Sequence, residues 1–276
     1  DVYKRQHISD GYAMVTSIQF NYMKYITLAL LLAVFLYGIR NISSPNAITT
    51  SSFYSNELPI YCVNTDKPVV ALTFDSAWGT EDLEQILSIL EKHNAPATFF
   101  VTGEWAQKYP EAIRSIDQAG HEIANHGNSH KHMPQISKEE MAAEIQGCHN
   151  TVYNLIGKDM TLFRAPYSDW NDTVVEVAHS MGYMSINQSV DSLDWKDYGI
   201  DSIIYTVCEH KNLENGSIIL LHNGATYTKD ALDVMLTKLE EQGYSFVKVS
   251  SLIYTQNYYL DHTGKQFSKD TSSNNE

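Results

Sequence analysis

Two histidines four residues apart, His126 and His130 in GHEIANHGNSHKHM, give the chain its clearest chemical signal. Neutral imidazole nitrogens suit zinc and similar divalent ions, and an HxxxH spacing after a strand lets two rings share one ion. A lone histidine reads as structural. A pair in a turn containing Gly and Asn predicts a divalent metal site, with zinc the ion best matched to the donors. His121 and His132 lie close by, and His132 reads as a solvated loop side chain.

Proton chemistry needs further groups, and other motifs offer them. LTFDSAWG, residues 72–79, ends an apolar run on Asp75. An acid there is either a partner for a helix N-terminus, a task that Glu81 or Asp82 is better placed to do, or a general base for an attacking water. In RAPY, residues 164–167, Arg164 is either a surface arginine before a turn or the cation that holds Asp75 ionised and oriented. Pro166 fixes that turn, and the Tyr167 backbone N–H is available to a developing oxyanion. ILLHNG sets His222 at the end of an apolar run, where partial burial makes its pKa tunable, as a general acid requires. Asp194, in DSLDW, is suited to bond one nitrogen of His222 and fix its tautomer. Trp195 is either a core tryptophan or a flat apolar face for a sugar ring.

Short β-branched or aromatic runs alternate with helical segments from Lys67 onward, the pattern of β-α units around a parallel sheet. Strands are predicted at 69–74, 97–102, 122–125, 161–165, 183–188, 217–222 and 245–249, and helices at 81–93 and 138–156. Ser137 and Glu140 form a capping box for the second helix. The fold class is α/β, and about seven parallel strands suggest a barrel. Barrel enzymes place their chemistry at the C-terminal ends of strands, and the reactive residues fall there repeatedly.

A net charge of -14 opposes phosphate tracking, so nucleic acid is not expected as a partner. Cys62, Cys148 and Cys208 are widely spaced, form no CxxC pair and read as buried thiols. Residues 1–22, opening DVYKRQ, read as an extension before the natural start, with Met14 or Met23 as initiator. Residues 23–40 carry the apolar run Tyr25 to Ile39 between Lys24 and Arg40, a signal peptide or signal anchor that predicts membrane association and an extracytoplasmic domain. Residues 41–66 read as a linker and entry segment, 67–254 as the catalytic domain and 255–276 as a polar tail without structure.

In this order, TFDSAWG, HGNSH, RAPY, DSLDW and LLH resemble the five motifs of the polysaccharide deacetylases, the NodB-homology group of carbohydrate esterase family 4. VVALTFDSAWG with a short N-terminal anchor is most similar to the sporulation-associated subgroup. The resemblance implies a distorted (β/α) barrel and metal-dependent removal of N-acetyl groups from amino sugars of peptidoglycan or chitin-like polymers. It implies Asp75 as base, His126 and His130 as metal ligands, Arg164 as the residue orienting the base and Tyr167 as an oxyanion donor. Asp194 would support His222 as acid, and Trp195 and Leu220 would line the acetyl pocket. The family's usual second aspartate, its third metal ligand, is replaced here by Ser76. That departure keeps a second reading open, a catalytically weak or inactive barrel that binds glycan in the spore envelope. A metalloprotease is not expected, because HExxH is lacking.

Overall fold

The computed structural model describes residues 58–269. The readings for residues 1–22 and 23–40, most of the linker at 41–66 and the end of the tail lie outside the described residues. Within them the strands are β1 (Cys62–Val63), β2 (Val69–Ser76), β3 (Ala97–Val101), β4 (Glu122–Asn125), β5 (Leu162–Phe163), β6 (Met184–Ser185), β7 (Val190–Asp191), β8 (Ile218–His222) and β9 (Ser245–Phe246), followed by β10 (Tyr258–Leu260) and β11 (Lys265–Ser268). Seven of them, in the order β6-β5-β4-β3-β2-β8-β7, run parallel and curl into a half-barrel, as the α/β reading expects.

β2 is the central staff, VVALTFDS, buried from Val70 to Ser76 because it is covered on both faces. Its alternate residues serve two cores. Leu72 and Phe74 pack outward with Phe99 and the surrounding helices, the Phe74 and Phe99 rings stacking at 4.9 Å. Ala71 faces the barrel interior with Phe100, Ala124, Leu162 and Ile218. The two-residue period carries that inward face on to Thr73 and Asp75.

The helices that brace this sheet follow local rules. α1 (Leu83–Lys92) buries Leu83, Ile86 and Leu90 on one stripe. α2 (Gly103–Lys108) and α3 (Pro110–Gln118) follow β3, and α3 begins on a proline whose missing N–H is no loss at that position. α4 (Lys138–Ile156) carries the complete capping box: Glu140 N–H donates to Ser137 Oγ at 3.2 Å, and Ser137 N–H donates to Glu140 Oε2 at 3.1 Å. Gly157 ends that helix in the left-handed region at φ +67°. α5 (Asp172–Ser180), α6 (Ile200–Cys208) and α7 (Thr228–Glu241) complete the outer layer.

Four features differ from the sequence reading. β2 continues through Asp75 and Ser76, which pair with Phe100 and Val101 of β3, so both residues are locked in the ladder. Asp191 belongs to a separate two-residue strand, too short to show any periodicity, between the fifth predicted strand and β8. The segment around β1, read as entry linker, bonds both flanks of the half-barrel: Ile60 pairs with Ile186 beyond β6, and Cys62 with Ser217 before β8. The tail after Tyr258, read as unstructured, forms the hairpin β10-β11, and β11 pairs with β1. Tyr259 and Phe267 are paired across the hairpin with their rings stacked at 5.2 Å, and this pairing supplies the order that composition did not suggest.

All three cysteines are free and buried, and burial pushes the thiols up, Cys148 to about 12 and Cys62 and Cys208 each to about 11. Among the described residues, no helix is long and apolar enough to cross a membrane.

Candidate active site

Asp75 is in register with His222 on the neighbouring strand, at the C-terminal rim of the half-barrel. Arg164, 1% exposed, reaches it from the turn after β5: Nη1 donates to Asp75 Oδ1 at 2.7 Å and to Thr73 Oγ1 at 2.9 Å, and Nη2 donates to the Asn187 carbonyl at 3.3 Å. The guanidinium also lies 4.1 Å above the Phe100 ring. Burial alone would raise the Asp75 pKa. The Arg164 charge, aided by His126 and His222, outweighs that and holds the carboxyl below its ordinary 3.8.

His126 opens the loop after β4. Its Nδ1 lies 2.9 Å from the Arg164 carbonyl, which can only accept, so Nδ1 carries the proton and Nε2 presents its lone pair. Nε2 faces Asp75 Oδ2 at 3.4 Å. Burial holds the His126 pKa low, and burial lowers that of His130 to about 4, so both rings are neutral near pH 7, the form in which imidazole ligates metals. The two ring centroids are 5.1 Å apart. His130 is held in the left-handed region at φ +57°.

The second half of the site is a histidine–carboxylate pair. His222 Nδ1 lies 2.7 Å from Asp194 Oδ1, which fixes Nδ1–H and turns Nε2 outward. Asp194 Oδ2 accepts the His222 backbone N–H at 2.8 Å and the Thr228 hydroxyl at 2.6 Å. Burial would lower the His222 pKa, but the Asp194 hydrogen bond and charge raise it above 6.5.

Asp75, His126, His130, Arg164, Asp194 and His222 thus come from five strand ends to one rim, His126 and His130 sharing the loop after β4. Tyr167 joins them with φ +62°, a conformation rarely held by a tyrosine without a local reason. Its ring packs edge-on to His130 at 4.4 Å and stacks on His132 at 3.9 Å. His132, read as a solvated loop residue, also bonds Asp169 at 2.9 Å and so buttresses that ring. Leu220 is buried one inward-facing step before His222, whereas Trp195 stands outward, 54% exposed.

Two residues escaped the sequence reading. Trp78 packs against both His130, at 5.2 Å, and His222, at 6.1 Å. Glu144, on α4, accepts the N–H groups of Asn128 and Ser129 at 2.9 and 2.7 Å and the Ser129 hydroxyl at 2.7 Å. The position of Trp78 beside Asp75 in LTFDSAWG was the available signal for the first. Glu144, one acid among several on its helix, offered none.

As for a metal, His126 and His130 supply imidazole donors, while Asp75 is engaged by Arg164. The Ser76 hydroxyl is buried without a hydrogen-bond partner. Among the described residues, no group of three or more His, Cys, Asp or Glu side chains is arranged to hold an ion. The residues therefore fit a divalent ion held by two imidazoles, a weaker set than one completed by a carboxylate.

The sequence profile described as "Polysaccharide deacetylase" matches residues 63–186. A peptidoglycan-N-acetylglucosamine deacetylase of Bacillus cereus is 34% identical over 69% of this chain and 91% of its own length. The chain belongs to the polysaccharide deacetylase family. Uncharacterized protein YlxY of Bacillus subtilis is 31% identical over 71% of this chain, which spans 60% of the length of that relative. Among solved structures, a polysaccharide deacetylase relative described as a CE4 family pseudoenzyme from Bacillus anthracis matches at 33% identity and TM-score 0.68, covering 72% of this chain and 69% of that one. A mutant of that pseudoenzyme with restored enzymatic activity superposes at the same TM-score, 0.68.

Proposed function

We propose that this chain hydrolyses the N-acetyl groups of amino sugars in a cell-wall or spore-cortex polysaccharide, peptidoglycan or a chitin-like polymer. The observation that carries this reading is the pairing of Asp75, its pKa held down by Arg164, with His222, its pKa held up by Asp194, on adjacent strands of one rim. Asp75 Oδ1 is committed to Arg164, which leaves Oδ2 to take a proton from water. The water oxygen bonds to the acetyl carbon, the carbon–nitrogen bond breaks, and His222 Nε2 delivers a proton to the departing amine. Acetate and a free amino sugar result. Asp194 holds His222 in the donating tautomer and stabilises its charged form. Arg164 keeps Asp75 ionised against the cost of burial.

A divalent ion, zinc by donor chemistry, would be held by His126 and His130 and would polarise the acetyl oxygen and the water. The Tyr167 N–H, on its left-handed turn, is the proposed donor to the oxyanion. The apolar run in residues 23–40 supports an extracytoplasmic domain tethered to or exported across a membrane.

Ser76 favours a second reading, a barrel that binds glycan with little or no turnover, and a solved relative described as a CE4 family pseudoenzyme supports the loss of turnover in that reading. Acetate release from N-acetylated peptidoglycan separates the two. Under the first reading the chain releases acetate, and Asp75→Asn and His222→Ala each cut the rate by ~10²-fold or more while the protein stays folded. Wild-type rates in either variant would remove that residue from the chemistry.

A further inference from the structure

Trp78 is 52% exposed, one of the largest apolar side chains to face solvent, yet the strand end that carries it is firmly held. Asn223 Nδ2 donates to the Trp78 carbonyl at 3.2 Å and to the Gly79 carbonyl at 3.1 Å. Trp105 Nε1 donates to the Gly79 carbonyl from the other side at 2.8 Å. Gly224 N–H is bound by Asp82 Oδ2 at 2.7 Å, which ties the loop after His222 to the turn after Trp78. Gly224 has φ +82°, and a Cβ there would approach the Trp78 carbonyl to 3.0 Å, so the close contact of these loops suits glycine.

This clamp fixes the backbone at Trp78, and the indole itself packs edge-on to His130 at 5.2 Å and tilted against His222 at 6.1 Å, spanning the two halves of the site. An indole left half in water gives folding only part of the stabilisation that its full burial would, since 52% of it stays exposed. A flat aromatic surface, fixed before any ligand arrives and flanked by the groups that would act on that ligand, lowers the entropy cost of binding. The C–H face of a pyranose ring is the surface such an indole accepts.

We infer that Trp78 is a substrate-binding residue of this site, stacking on the sugar ring that carries the acetamido group and presenting that group between His130 and His222. The inference rests on the deacetylase reading above and names a residue by which the site holds its sugar. Trp78 also supplies an apolar wall that turns part of the site mouth away from water.

The test uses the full chain with zinc in the buffer and a tetramer of N-acetylglucosamine as the probe. Affinity is measured by calorimetry in an Asp75→Asn background, where turnover is suppressed, and acetate release is followed in parallel with Asp75 intact. Trp78→Ala should weaken tetramer binding about tenfold or more and raise KM more than it lowers kcat. Trp78→Phe, which keeps a ring, should stay within about threefold of the parent affinity. Equal affinity of the parent and Trp78→Ala overturns the inference while leaving the deacetylase reading intact. A fall in kcat with KM and affinity unchanged also overturns it, because Trp78 would then act only by supporting the histidines. If the parent neither binds the tetramer nor releases acetate, the deacetylase reading fails, and the role of Trp78 fails with it.

Discussion

At the scale of single residues the site is a set of opposed pKa shifts. Asp75 is pulled below 3.8 and His222 pushed above 6.5, so the proposed base is ionised and the proposed acid protonated across the interval between them. Asp194→Asn should move the alkaline limb of activity to lower pH and cut the rate by ~10²- to 10⁴-fold, as pH–rate profiles of the two proteins would read. The same pair contributes to stability. Because the folded His222 pKa is raised, its contribution is fully present below an unfolded value near 6.5 and is lost as pH rises through the folded value. Urea unfolding should show the gap between parent and Asp194→Asn narrowing over that rise. Ser76 presents a different test. Its buried hydroxyl has no partner, and Ser76→Asp should tighten zinc binding by on the order of tenfold by adding an anionic oxygen. Calorimetry with zinc decides it: unchanged or weaker binding would mean that Ser76 does not face the ion.

At the scale of elements, strand ends are rigid mounts and the loops after them need separate support. The loop after β4 places His126 directly, through its N–H to the Val101 carbonyl, but His130 four residues later depends on the bonds that Glu144 accepts from Asn128 and Ser129. Glu144→Ala leaves those donors without their acceptor and should cost about 1–3 kcal/mol, measurable by urea denaturation, with weaker zinc binding as the local consequence. The strands that position the site were legible wherever burial on both faces wrote a continuous apolar run, as in VVALTF and SIILLH. β7, two residues long, wrote none. The capping box of α4 was legible because its two residues bond each other locally. Trp78 and Glu144 were not, because each matters through partners distant in the chain.

At the scale of the whole domain, the described residues form a half-barrel bridged by the Ile60–Val63 segment and backed by a C-terminal hairpin. That closure depends on long-range pairing between the start and end of the domain, which no local pattern announces. Its thiols are part of the packed interior: the native chain should react slowly with a thiol reagent, and unfolding should release all three cysteines, with no change on adding reductant. Fewer than three after unfolding would reveal a disulfide. Function at this scale turns on whether a rim assembled from separate strand ends completes the hydrolysis with Ser76 in place of an acid. The direct measurement is acetate released from N-acetylated peptidoglycan by the unaltered chain, with zinc supplied and then removed by a chelator. The account predicts acetate release that requires both the metal and Asp75. Glycan binding without acetate release, at saturating zinc, would contradict it and leave the chain a binding barrel.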